Sequence, residues 1–203
     1  FANVWGVDFE WIKKQYATPA MMTKNGITVS RWIDGVLEKN ELIDQDSNLR
    51  GVFYWGHAPN SQTRGLEMKR AMDKLDLLVV VDPYPSATAA MAAMPGKAED
   101  LNPNRAVYLL PAATQFETSG SCTASNRSIQ WGEKVVEPIF ESANDYWIIY
   151  EFAKKLGFAD KMFKNIAMTK GKYGDEPEAE SILREINRGG WSTGYCGQSP
   201  ERL

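Results

Sequence analysis

Gly51-Val52-Phe53-Tyr54-Trp55-Gly56 and, further on, Leu77-Leu78-Val79-Val80-Val81-Asp82-Pro83 decide the fold of this chain. Each is a run of β-formers closed by turn residues, and the second is apolar throughout from Leu77 to Val81, the pattern of a strand covered on both faces. Between them a polar loop, His57 to Thr63, leads into Leu66, Met68, Ala71, Met72 and Leu75, which recur at helical spacing. Strand, loop, helix and strand within about 30 residues form the pattern of a right-handed βαβ unit. Ala106-Val107-Tyr108-Leu109-Leu110 predicts a further strand, preceded by an Ala-rich helix over Ser86 to Met94 and a polar excursion through Pro95, Gly96 and Pro103. The expected fold class is therefore α/β, an open, mostly parallel sheet with flanking helices.

Outward from this unit, Val7 to Tyr16 reads as a helix, and Thr28 as the N-cap of a second helix carrying Val29, Trp32, Ile33, Val36 and Leu37. Glu38 to Asn48 is acidic and Asn-rich and reads as a surface loop. After Pro111, residues Ala112 to Arg127 are rich in Thr, Ser, Gly and Asn with no sustained period, which predicts a long loop of the kind that carries function. Asn144-Asp145 starts a helix with Trp147, Ile148, Ile149, Phe152 and Leu156 on one broad face and Gly157 at its end. Thr169 to Glu176 reads as a mobile polar linker before a last helix, whose apolar side is Ile182, Leu183 and Ile186. The ends, Phe1 and Ser199-Pro200-Glu201-Arg202-Leu203, suggest an internal piece of a longer protein.

Composition excludes several functions. The 203 residues carry 26 Asp+Glu against 23 Lys+Arg, a net charge of -3, so a nucleic-acid partner held by a basic surface is not expected. The longest apolar runs, such as Leu75 to Val81 with Asp76 inside it, fall short of the roughly 20 residues of a membrane span, so direct membrane insertion is not expected. Cys122 and Cys196 form no CxxC and read as separate free thiols rather than a cluster or zinc framework. His57 is the only histidine, which closes off Ser/His/Asp and multi-His metal chemistry within the chain. No catalytic residue and no metal ligand is expected in this stretch.

In parallel sheets, ligands sit at the carboxyl ends of strands. At the first, the turn from Gly56 through His57, Asn60 and Ser61 lets backbone approach a phosphate. At the second, Asp82 is either an acceptor for ribose hydroxyls or a purine's exocyclic N–H, or simply the polar terminator of a strand before Pro83. GxGxxG and GxxxxGK[ST] are both absent. Glu117 and Asp145 flank the long loop, and Asp145 doubles as a helix-start residue.

The succession GVFYWGHAPNSQTRG, LDLLVVVDPYPSATA, VYLLPAATQFETSGSCTASNRSIQW and EINRGGWSTGYCGQSPERL resembles the alpha subunits of formate dehydrogenases, in the bis-molybdopterin guanine dinucleotide oxidoreductase family. The resemblance spans essentially the whole chain as an internal stretch of a longer protein. It implies that Gly56, His57 and the turn to Asn60 approach a pyrophosphate, and that Asp82, with Pro83, binds the guanine or ribose of the same nucleotide. Pro111, Glu117, Gly120, Arg127 and Gln130 match the family's P…E..G……R..Q loop, with Thr118 where relatives often have a lysine that contacts the cofactor. Asp145 matches an Asp that binds guanine ahead of a Trp-containing helix. The common Gly-x-Asn-Pro turn appears here as Gly56-His57-Ala58-Pro59-Asn60.

The resemblance further implies residues 1–48 as a helical lead-in, 49–168 as the α/β region binding the molybdopterin guanine dinucleotide, and 169–203 as a linker and helix leading onward. Its cofactors are bis-molybdopterin guanine dinucleotide with Mo or W, and a 4Fe-4S cluster outside this stretch. Formate would be the substrate, oxidised to CO2. An iron–sulfur beta subunit and a membrane cytochrome subunit would be partners, and the complex would be exported to the periplasm. This stretch alone is expected to be inactive. A nitrate reductase of the same superfamily and a non-catalytic nucleotide-binding module are the alternatives.

Overall fold

Val79, Val80 and Val81 lie at the centre of a three-stranded parallel sheet. The computed structural model describes residues 8–15, 27–43, 45–57, 64–85, 102–126, 128–189 and 197–203. The chain divides into two compact units, residues 24–112 and residues 1–23 with 113–203.

In the first unit the strands are β1 (Gly51–Trp55), β2 (Leu77–Asp82) and β3 (Ala106–Pro111), in the order β1-β2-β3. The register pairs Trp55 with Val81, and Asp82 with Pro111. All three strands stand where the sequence places them, and the parallel α/β fold is as expected.

The helix between β1 and β2 spans Gly65–Lys74; Leu75, just past its end, completes a stripe with Met68, Ala71 and Met72 that is fully buried. That stripe meets Tyr54, Leu78 and Val80 from one face of the sheet, as a 3.6-residue period against a 2-residue period requires. Leu66, read as part of the same stripe, stands out in solvent because the helix has only begun there.

Trp32, Ile33 and Val36 complete this core from the helix Trp32–Leu37. Thr28 makes no side-chain cap; the segment begins instead with a 3-10 turn, Val29–Arg31. A second 3-10 turn, Asn40–Ile43, lies within the stretch read as surface loop, and it buries Ile43. The Ala-rich helix expected over Ser86 to Met94 lies outside the described residues.

Asp73 is buried and fixes the far end of the sheet, where it accepts from Lys69 and from Arg105 at 2.7 Å. Asn102 donates to Asp76 at 2.7 Å and holds the start of β3 beside that of β2. Numbering the helices in chain order, α1 is Phe9–Gln15, α2 Trp32–Leu37 and α3 Gly65–Lys74.

The second unit contains α4 (Asp145–Lys155), α5 (Ala159–Met162) and α6 (Ala179–Gly189), together with two antiparallel hairpins. The first hairpin pairs β4 (Gly120–Thr123) with β5 (Ile129–Gly132), inside and just beyond the stretch read as an unstructured loop. β4 is small, polar and mostly exposed and β5 adds only Ile129 and Trp131, so the pairing rests mainly on main-chain hydrogen bonds and leaves too short a hydrophobic period to read.

The second hairpin pairs β6 (Met168–Gly171) with β7 (Gly174–Pro177), and it replaces the expected mobile linker over Thr169 to Glu176. Gly174, at φ +112°, supplies the backbone that this tight connection needs. On α4, Ile148 and Ala153 are buried, whereas Leu156 at the helix end is 69% exposed. Gly157 ends α4 at φ +79°, as expected of a C-terminal glycine.

Candidate cofactor-binding site

The carboxyl ends of β1 and β2 lie side by side, because Trp55 pairs with Val81 and the Gly56 amide donates to the Val81 carbonyl at 2.9 Å. Gly56 takes φ +55°, and a Cβ added there would meet nothing within 4 Å, so the turn leaves its backbone open to a bound group. His57 stacks on Tyr54, with ring centroids 5.9 Å apart and planes 17° apart. Tyr54 also meets Trp32 edge-on, and its hydroxyl is buried with no hydrogen-bond partner among the described residues. Burial pushes the Tyr54 phenol well above its usual range. Asn60 lies outside the described residues.

Asp82 is half-buried at the end of β2. Its Oδ1 accepts from the Tyr84 amide at 3.0 Å, closing a turn around Pro83, and its carbonyl accepts from the Ala112 amide at 3.2 Å. Asp82 thus terminates its strand while keeping its carboxylate at the edge where ligands of parallel sheets sit. An open glycine turn and a strand-end carboxylate together offer the backbone approach and the acceptor that a nucleotide needs.

The other candidate residues lie in the second unit. Glu117 is buried, and both of its carboxylate oxygens are used: Oε2 accepts from the Thr114 amide at 2.7 Å and Oε1 from the Ile139 amide at 2.8 Å. These two backbone donors hold its carboxyl below the usual glutamate range. Glu117 therefore braces the loop that presents Thr118 and Gly120. Thr118 Oγ1 lies 3.2 Å from the Tyr146 hydroxyl, which places it beside the first turn of α4, next to the exposed Asp145. Burial raises the Tyr146 phenol. Gly120 begins β4 with open space where a Cβ would stand, and Gln130 is exposed on β5. Arg127 lies outside the described residues.

Asn144, the buried residue before α4, went unremarked as a site residue. Its Oδ1 and the Trp147 indole Nε1 are buried without partners among the described residues, while its amide donates to Glu176 at 3.4 Å. Burial raises the Glu176 carboxyl. No spacing in the sequence joins Asn144 to Glu176, since the contact depends on the β6–β7 hairpin. Cys122 is an exposed free thiol, and Cys196 lies outside the described residues. Among the described residues no three His, Cys, Asp or Glu side chains form a metal-holding group, and no helix is long and apolar enough to cross a membrane.

Comparison with known proteins gives the chain its relatives. The F420-dependent formate dehydrogenase subunit alpha of Methanocaldococcus jannaschii is 29% identical over 150 residues, covering 73% of this chain and 18% of the relative. The formate dehydrogenase 2 subunit alpha (cytochrome c-553) of Nitratidesulfovibrio vulgaris is 37% identical over 94 residues, 44% of this chain and 9% of the relative. A nitrate reductase of Symbiobacterium thermophilum is 26% identical over 198 residues, 96% of this chain and 20% of the relative. The chain thus matches a fifth or less of the length of each of these proteins. Residues 12–155, which include every candidate site residue, match the molybdopterin oxidoreductase family, and the chain belongs to it.

Proposed function

We propose that this chain is the cofactor-binding segment of a formate dehydrogenase alpha subunit, holding part of a molybdopterin guanine dinucleotide. The observation that carries the reading is the open Gly56 turn beside Asp82, at neighbouring parallel strand ends, in a member of the molybdopterin oxidoreductase family. Formate is favoured as substrate by the two formate dehydrogenase relatives.

The turn after Gly56, with His57 and Asn60, takes the pyrophosphate. Asp82, oriented by Pro83, accepts from ribose hydroxyls or from the exocyclic N–H of guanine, a charge-assisted contact. Thr118, Gly120 and Asp145 supply the second set of contacts, and Glu117 keeps their loop in place. When bound, the cofactor supplies a Mo or W centre able to take the two electrons released as formate becomes CO2 and a proton. The chain's own residues bind and orient the group; none of them transfers a proton or electron. A 4Fe-4S cluster elsewhere in the subunit, an iron–sulfur beta subunit and a membrane cytochrome subunit complete the electron path, in a periplasmic complex.

A second reading, nitrate reduction, is favoured by the breadth of the nitrate reductase match. The full-length protein distinguishes the two. We expect formate to reduce a viologen dye and nitrate to leave reduced viologen unoxidised; the reverse pattern overturns the formate reading.

A further inference from the structure

The loop that carries Thr118 is tied to the start of α4 by main chain and by side chain. Where the loop begins, the Ala113 amide donates to the Ala143 carbonyl at 2.8 Å, just ahead of the helix. Further along, the Thr118 hydroxyl donates to the Tyr146 hydroxyl at 3.2 Å, in the first turn of α4. Glu117, one position earlier, already has both carboxylate oxygens on backbone amides, so the main chain beside Thr118 is held. What this bracing leaves open is the direction of the Thr118 side chain.

A threonine hydroxyl turns to suit whatever is near, and a side chain that must be immobilised on binding weakens the contact it makes. The Ser119 carbonyl, 3.3 Å from Thr118 Oγ1, is on the same loop and does not tie the side chain to the helix. Tyr146 does. It has few side-chain torsions to lose, it is half-buried, and it rides on a helix anchored by the buried Ile148 and Ala153. The Asn144 side chain is a second polar neighbour of the same phenol, and Asn144 is linked in turn to Glu176 of β7 at 3.4 Å. Burial keeps the phenol neutral, so it retains both a proton and lone pairs for hydrogen bonding.

We infer that Tyr146 is a positioning residue for the proposed cofactor contact, acting through its hydrogen bond to Thr118 to hold that hydroxyl in one orientation beside Asp145. The inference rests on the reading of Thr118 as a cofactor contact, and it gives Tyr146 no contact with the cofactor of its own. Its signature is therefore coupling: the Tyr146 hydroxyl matters only while Thr118 has a hydroxyl to hold.

The test is a double-mutant cycle in the full-length protein. Wild type, Thr118→Val, Tyr146→Phe and the double variant are held at one temperature below melting, and the guanine nucleotide still bound is followed as GMP released by acid hydrolysis. Each single variant should lose nucleotide about three- to tenfold faster than wild type, the range of one hydrogen bond, and the double variant no faster than Thr118→Val. Thr118→Ser, the milder change, keeps the hydroxyl. It should hold nucleotide nearly as long as wild type while Tyr146 is present and lose most of its advantage over Thr118→Val in the Tyr146→Phe background, a dependence that a merely structural tyrosine would not show. Effects that multiply in the double variant, a Thr118→Ser advantage indifferent to Tyr146→Phe, or either single variant keeping its nucleotide as long as wild type would overturn the inference and leave the cofactor reading standing. A wild type that yields no GMP would overturn the reading itself and the inference with it.

Discussion

Glu117 illustrates how a residue's type and position can be legible while its partners are not. Its place at the edge of a polar loop suggests a ligand contact, yet its carboxylate bridges the amides of Thr114 and Ile139, twenty-two positions apart in the second case. Because those donors stabilise the ionised form, the folded pKa lies below the unfolded one. The resulting stabilisation is complete above the ordinary glutamate range and is lost as pH falls through the lower folded value. Glu117→Ala should therefore cost about 1–3 kcal/mol at neutral pH. The gap between variant and wild type should close as acid is added, which denaturant titrations across pH would measure. Asp82 is the opposite case: its carboxylate closes the turn through the Tyr84 amide, the turn-former reading open in the sequence, while its role as an acceptor for a nucleotide is the proposal above.

At the scale of elements, legibility follows the source of stability. β1, β2 and α3 are held by apolar burial, and burial leaves a period in the sequence: Tyr54, Leu78 and Val80 against Met68, Ala71, Met72 and Leu75. The β4–β5 and β6–β7 hairpins are held mainly by main-chain pairing between mostly exposed residues, and Ile129, Trp131 and Pro177 are too few to set a period. Only their glycines hint at them. Gly174→Ala, at φ +112°, should destabilise the β6–β7 hairpin by about 1–2 kcal/mol, seen as faster amide exchange in β6 and β7.

The buried Asp73 joins α3 to Arg105 at the start of β3, a pairing across more than thirty positions that no local pattern announces. Asp73→Ala leaves the nearly buried Arg105 without its carboxylate. It should cost about 3–5 kcal/mol, measured as lost protection of α3 and β2 amides.

For the whole molecule, the proposed cofactor binding turns on one edge of the parallel sheet. The parallel strand ends place Gly56 and Asp82 together, and the family match over residues 12–155 is the ground for proposing that this edge holds part of a molybdopterin cofactor. If Asp82 binds the nucleotide, its loss should empty the site without unfolding the sheet, whose core lies on the buried positions of β2 and α3. The most direct measurement is the guanine nucleotide released by acid hydrolysis of the purified full-length protein, in wild type and Asp82→Ala. We predict stoichiometric GMP from the wild type and at least about a tenfold reduction, roughly 1.4 kcal/mol of binding, in the variant at matched stability. GMP absent from the wild type, or retained undiminished by Asp82→Ala, would contradict the account.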